Sequence, residues 1–370
     1  MPISTLRISD FRNVTALDIA PDAAGLNIIC GDNGSGKTSL LEAIHYLGSG
    51  KSFRSSVASR LVRHETEKFS LFAQLVNEVQ HHIAVGVERD IKGNTRLRMD
   101  EKELQSFTDF AYLLPVRLIN SQSHHLFESG PIYRRKYLDW GLFYQSEGFL
   151  HCWRQLERIL KQRNAGLRDK RAKNELSGWT DELVKYGLEL NALRQDYVQT
   201  LAPLIENIAS ELLGFSFAQL TMTYLPGWPK NQDYPTVLAN SYMDDLRLGY
   251  TQYGPHRADV EISVNDVSVK HFLSRGQQKL LICAMIIAQG MLLAKQTNKR
   301  LIYLVDDLPS ELDAQSRQRL ISLLLTQQSQ VFITAIESAS ICEFIDNKSS
   351  VPVKLFHVEH GQLLRTTRHC

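Results

Sequence analysis

Eight residues constrain this chain more than any others. Gly31-Asp32-Asn33-Gly34-Ser35-Gly36-Lys37-Thr38 fits the phosphate-binding pattern GxxxxGK[ST]. The run before it, Leu26-Asn27-Ile28-Ile29-Cys30, reads as a strand, and Ser39-Leu40-Leu41-Glu42-Ala43-Ile44 after it reads as a helix. That is the context the motif requires. The glycines let backbone N–H groups turn inward around a triphosphate, and the helix N-terminus adds favourable partial charge. Lys37 is expected to reach the β- and γ-phosphates of ATP, and Thr38 to ligate Mg²⁺.

Composition sets the outer limits. The 370 residues leave room for two domains, or for one domain with a large insertion. With 42 basic and 40 acidic residues the net charge is only +2, so any nucleic-acid surface must be local. The five cysteines are scattered without CxxC spacing, and the N-terminus has no charged segment leading into an apolar one. Both point to reduced thiols in a cytoplasmic protein. No apolar run is read as long enough for a membrane span.

Short strands are expected at the start, followed by an alternating antiparallel patch over residues 69 to 99, with a turn near Lys92-Gly93-Asn94. Val116 to Asn120 is another strand. Two amphipathic helices follow, one from Phe149 to Leu167 and one from Leu183 to Leu212, with a loop near Gly178 and a kink at Pro203. Strand and helix then alternate to a final hairpin around Gly361. The α/β signal sits at both ends. The expected fold is therefore an α/β P-loop head with an antiparallel β lobe, split by a helical domain. The head takes residues 1–130 and 250–370, and the insertion takes 131–249.

A second half of the nucleotide site lies far along the chain. Leu301 to Val305 is an apolar strand ending in Asp306-Asp307. Asp306 fits the acidic residue that holds Mg²⁺ through water, and Asp307 is placed to polarise the attacking water. Leu273-Ser274-Arg275-Gly276-Gln277-Gln278-Lys279 is similar to the LSGGQ signature of ABC-type ATPases, with Arg275 in place of the first Gly. There Ser274 and the Gly276 amide are expected to bind a γ-phosphate held by another subunit. An ordinary capped helix explains the same residues. Ser310-Glu311-Leu312-Asp313 fits the D-loop of that class, and Gln122 a metal- and water-sensing position. Ala335 stands where many such enzymes carry a switch histidine. The helical insertion is too long for a transporter ATPase. Helices of roughly 30 to 40 residues span only ~45–60 Å, too short for the arms of SMC proteins.

These features resemble the RecF family of bacterial DNA repair and recombination mediators along nearly the whole chain. The resemblance is carried by Leu6 to Asn13, Gly31 to Thr38, Lys51-Ser52-Phe53-Arg54, Gly130-Pro131 with Arg134-Arg135 and Leu138-Asp139, Lys161 to Asn164, Gly254 to Asp259, and Ser274 to Gln278. Departures are Ser121-Gln122, where the family often has Pro-Glu, and Ala258, where Asp is common. The resemblance implies an ATP-dependent homodimer that binds single-stranded, double-stranded and gapped DNA. It would act with RecO and RecR at gaps and stalled forks to load RecA, supporting repair, replication restart and the SOS response, as a slow DNA-stimulated ATPase.

Candidate DNA contacts come from basic clusters. Residues 151–175 carry eight basic side chains against three acidic ones, with Arg154, Arg158 and Lys161 on one face. Arg54, Arg60 and Arg63, with Lys51, form a second group, and Arg134, Arg135 and Lys136 a third. A solvated helix face accounts for the first group as well as DNA does. A transporter subunit and a DNA-binding protein with a vestigial nucleotide site remain as alternatives.

Overall fold

The computed structural model describes residues 1–76, 81–214, 220–307, 312–345 and 351–368. Its strands in chain order are β1 (Ile3–Phe11), β2 (Val14–Ile19), β3 (Leu26–Cys30), β4 (Lys68–Val76), β5 (His82–Asp90), β6 (Thr95–Met99), β7 (Lys102–Leu104), β8 (Val116–Ile119), β9 (Leu220–Leu225), β10 (Asp259–Val264), β11 (Val267–Ser268), β12 (Ile302–Val305), β13 (Gln330–Ala335), β14 (Val353–Glu359) and β15 (Gln362–Arg368). The chain divides into two compact units, residues 1–123 with 293–370, and residues 124–292.

The first unit holds two sheets. One runs β2-β1-β4-β5-β6-β7, antiparallel throughout. Alternate residues of β4, namely Phe69, Leu71, Ala73 and Leu75, turn into the core, so only one face is apolar. This is the expected antiparallel lobe, and its β5–β6 turn falls at Lys92-Gly93-Asn94. The second sheet runs β15-β14-β3-β13-β12-β8. Its β14, β3, β13, β12 and β8 are parallel. Strands β3, β12 and β13 are buried at every residue, which is why they read as unbroken apolar runs. The parallel order brings the C-terminal ends of β3, β12 and β13 side by side, where ligands bind in open α/β sheets.

The second unit contains the helices Phe149–Arg168 and Lys173–Leu213, which pack together, and a small sheet β11-β10-β9. The turn between the helices is at residues 169–172, not near Gly178. Lys170 ends the first helix by taking a left-handed conformation, φ 54°. Gly178 stays helical on an open face, where its cost of about 1 kcal/mol against Ala is tolerable. The second helix also continues on both sides of Pro203.

Residues 250–292, grouped above with the head, fall in the second unit. Strand β10 pairs with β9. In the helix Arg275–Thr297, the Met285 carbonyl accepts from Tyr137 Oη at 2.8 Å, and Gln289 donates to the Tyr137 carbonyl at 2.8 Å. That helix is long and apolar enough to cross a bilayer, against the expectation, but most of its apolar stretch is buried inside the fold. Cys30, Cys152 and Cys283 are free and buried. Cys342 is disulfide-bonded, so the expectation of reduced thiols fails there. Cys370 lies outside the described residues.

Candidate nucleotide site

The loop between β3 and the helix Lys37–Ser49 is built before any ligand arrives. Gly36 caps the helix at φ 117°, and Gly31 sits at φ 147°. A Cβ on Gly31 would stand 2.1 Å from the Val358 carbonyl oxygen, so no other residue fits. The β1–β2 turn braces the loop. Asn13 Nδ2 donates to the Gly34 carbonyl at 2.7 Å, and Ser39 Oγ donates to Asn13 Oδ1 at 2.7 Å. The β14–β15 turn adds the Gly361 N–H, which donates to the Ser35 carbonyl at 2.8 Å. The Ser35 hydroxyl is buried and has no hydrogen-bond partner among the described residues. Lys37 Nζ donates to the carbonyls of Gly31 at 2.6 Å and Asp32 at 2.8 Å, using two of its three donors.

The acidic end of β12 meets this loop. Thr38 Oγ1 donates to Asp306 Oδ1 at 3.1 Å, and Thr334 Oγ1, from β13, donates to the same oxygen at 2.8 Å. The Asp307 N–H donates to Thr334 Oγ1 at 2.8 Å. Burial pushes the Asp306 carboxyl above its ordinary range; the Thr334 and Thr38 hydroxyls work against that, and the charge of Asp307 adds to it. Asp307 is exposed, with φ 54°.

These residues share one cleft of about 430 Å³. Its lining includes Asn33, Gly34, Gly36, Lys37, Thr38, Asp306 and Asp307, together with Arg12, Asn13, Arg54, Arg60 and Thr334. Four cations around a phosphate loop suit a polyanion. Among the described residues no group of three or more His, Cys, Asp and Glu converges as a metal site. Thr38 and Asp306 alone fit Mg²⁺, which keeps waters and takes further oxygens from phosphate.

Sequence reasoning missed Arg12, Asn13 and Thr334 as cleft residues. Arg12 and Asn13 belong to the motif Leu6 to Asn13, which is their signal in the sequence; Thr334 carries none beyond its place before Ala335. Arg54 and Arg60, offered as DNA contacts, line the nucleotide cleft. Arg63 pairs with Asp10 at 3.4 Å. Gln122 is exposed in a turn, with its N–H donating to Asn120 Oδ1, and is not among the residues lining the cleft. Ser310 and Glu311 of the expected D-loop lie outside the described residues. Asp313 caps the next helix, accepting from the Ser316 N–H at 2.9 Å.

In the second unit, Ser274 and Gln277 form a reciprocal cap. The Gln277 N–H donates to Ser274 Oγ at 3.3 Å, and the Ser274 N–H donates to Gln277 Oε1 at 2.9 Å. Ser274 is exposed, and the space over Gly276 is open. Arg154, Arg158 and Lys161 are exposed on their helix. Arg163 is not part of that face: it is buried, donating to Asp245 at 2.9 Å. Arg134 is spent on Asp259 and two carbonyls, and Arg135 donates to the Ala258 carbonyl. The third basic group is therefore largely structural.

A parallel sheet that presents a P-loop beside an acidic strand end, flanked by an antiparallel lobe, is the head of an ABC-type ATPase. The family described as RecF/RecN/SMC N terminal domain matches residues 2–362. The solved head of an Smc protein, bound to the C-winged helix domain of ScpA, shares this fold with a TM-score of 0.61 at 14% identity, covering 100% of this chain and 97% of that one. Within that class the chain belongs to the RecF family. The DNA replication and repair protein RecF of Shewanella denitrificans is 42% identical over 98% of this chain and 99% of its own length. That of Shewanella amazonensis is 40% identical over 99% and 100%. A solved structure of the recombination mediator RecF with ATP, of the RecFOR pathway, superposes with a TM-score of 0.84 at 23% identity, covering 100% of this chain and 98% of that one.

Proposed function

We propose that this chain is an ATP-dependent, DNA-binding recombination mediator that acts at single-strand gaps and stalled forks. There it helps RecO and RecR load RecA, in repair, replication restart and the SOS response in the cytoplasm. The observation that carries the reading is the cleft joining Lys37, Thr38, Asp306 and Asp307, in a chain that matches RecF relatives over their full length. Lys37 balances the β- and γ-phosphates of ATP. Thr38 and Asp306 hold Mg²⁺, which when bound screens phosphate charge. Asp307 accepts a proton from the attacking water, in a slow, DNA-stimulated hydrolysis. Ser274 and the Gly276 amide complete the site of a second copy, so ATP favours a homodimer. Exposed cations at Arg154, Arg158 and Lys161 contact phosphates of single- and double-stranded DNA without reading sequence.

Sedimentation with and without Mg-ATP and gapped DNA tests this. The expected result is a monomer that becomes a DNA-bound dimer only when both are present. A Lys37→Ala variant should stay folded and monomeric. Dimerisation that ignores ATP in both proteins would set the reading aside.

A further inference from the structure

Strand β13 runs two residues past its paired register with β12, since Val305 pairs with Ile333 and β13 ends at Ala335. Thr334 therefore sits beside Asp306, 1% exposed. Its single O–H is spent on Asp306 Oδ1 at 2.8 Å, and its oxygen accepts the Asp307 N–H at 2.8 Å. One hydroxyl thus touches two consecutive carboxylate residues, the side chain of one and the backbone of the next. The neighbouring residue, Ala335, brings only a methyl group and is fully buried.

The arrangement is directional. A hydroxyl has one proton, and here it points at a carboxylate, so the remaining lone pairs face an N–H. Thr is β-branched and stiff about χ1, which suits a bridge that must hold one geometry. The bridge also has something to hold. Asp307 takes φ 54°, a left-handed conformation that side-chain-bearing residues adopt uncommonly. The hydrogen bond to its N–H helps to fix that turn, and the turn decides where its carboxylate enters the cleft. Asp306 Oδ1 takes a second hydroxyl from Thr38, the other expected Mg²⁺ ligand. Thr334 is the one of the two hydroxyls with no ligand role of its own.

We propose that Thr334 is a positioning residue that sets the metal-holding oxygen of Asp306 and the backbone of Asp307 with one hydroxyl, so that metal capture and water activation depend on the same side chain. This deepens the proposed ATPase reading and rests on its assignments of Asp306 and Asp307. It also assigns β13 a contribution at the sheet end where no switch histidine is present.

The test compares Thr334→Val, which keeps the shape and removes both hydrogen bonds, with Thr334→Ser, which keeps the hydroxyl. Three quantities are measured on each folded protein: nucleotide affinity in EDTA, the Mg²⁺ concentration that restores full nucleotide binding, and single-turnover hydrolysis on DNA at saturating Mg-ATP. Support of a metal ligand by its hydrogen-bond partner is typically worth 10–100-fold. For Val we expect unchanged affinity in EDTA, a Mg²⁺ requirement raised about tenfold or more, and hydrolysis slowed by at least a similar factor. Ser should restore both to within about threefold of wild type. If Val does not fold, Thr334→Ala takes its place with the same expectations. Wild-type Mg²⁺ dependence in Val overturns the proposal. So does equal impairment of Val and Ser, or a loss of metal-free nucleotide binding, which would mean a packing role. If wild type itself does not hydrolyse ATP, the reading of Asp307 fails, and the Mg²⁺ titration still judges Thr334.

Discussion

Arg12 closes on Glu42, its Nη2 2.6 Å from Oε1 and its Nε 3.0 Å from Oε2, with the Glu42 side chain completely shielded from solvent. Arg12 belongs to the β1–β2 turn, and Glu42 to the helix that follows the phosphate loop. Ser52 and Arg54 also bond to this carboxylate. The pair ties the antiparallel lobe to the nucleotide site. Glu42→Gln leaves Arg12 largely buried without its counter-charge. We expect a loss on the order of 3 kcal/mol of stability, because breaking one side of a buried pair strands the other. Urea unfolding reads this directly; a change below about 0.5 kcal/mol would show the pair to be replaceable.

Asp307→Asn should still bind Mg-ATP through Asp306 and Thr38. Its amide cannot take a proton, so hydrolysis should slow by about a hundredfold or more. An ATP-bound dimer should then accumulate on DNA. Unchanged single-turnover rates would move the base to another group.

His256 gives a pH dependence whose sign can be worked out. Its Nε2 meets the Thr251 carbonyl at 2.9 Å, and its Nδ1 is buried without a partner among the described residues. Burial, more than the nearby Arg257, Arg135 and Arg163, lowers its pKa from 6.5 to about 4. The unfolded chain therefore takes up a proton below pH 6.5 that the folded chain refuses until about pH 4, and stability falls across that window. The contribution should be about 2 kcal/mol less favourable at pH 5 than at pH 7. The difference between wild type and His256→Gln isolates it. A gap that does not change between those two pH values would mean the imidazole titrates normally.

Much of this molecule is legible in its sequence, for identifiable reasons. A phosphate loop needs glycines at fixed spacing, and strands buried on both faces need unbroken apolar runs, so Gly31 to Thr38 and Leu301 to Asp307 announce themselves. What escaped depends on distant partners. Thr334 matters only because parallel pairing brings it beside Asp306, and Arg12 only because Glu42 is buried beneath it. Arg163 looks like its basic neighbours until Asp245, far along the chain, neutralises it. The helix break at Lys170 carries no glycine or proline, so its left-handed backbone leaves no local signal. Residues 250–292 follow β9 and Tyr137 rather than the head, a preference no local pattern encodes.

DNA affinity should fall steeply with salt and tolerate changes of sequence, as phosphate contacts require. Replacing Arg154, Arg158 and Lys161 together with Glu should weaken binding and make the plot of log affinity against log salt shallower by up to about three. Arg158 lies 3.7 Å from Glu182, both half-exposed, so its loss costs little fold stability. If the triple variant binds like wild type, the helix face is merely solvated, and the DNA must be met elsewhere.

The composite site can be tested by mixing two broken proteins. If each ATP lies between Lys37 of one subunit and Ser274 of the other, a pair of Lys37→Ala subunits would have two damaged sites, and so would a pair of Ser274→Ala subunits. In a mixed dimer one site collects both lesions. The other joins an intact phosphate loop to an intact Ser274, whose hydroxyl keeps its cap on Gln277. In an equal mixture about half of random encounters are mixed, by mass action. DNA-stimulated hydrolysis should then exceed the average of the two separate variants, provided one site can fire alone. ATP-induced dimerisation, followed in the same mixture, covers the case in which the two sites are strictly coupled. A lost Ser274 cap alone would lower helix stability in every subunit that carries Ser274→Ala and give no gain on mixing, so the gain itself is what distinguishes a role across the interface from a local one. If neither hydrolysis nor dimerisation rises above the average at any ratio, Ser274 serves its own helix and not the partner's nucleotide.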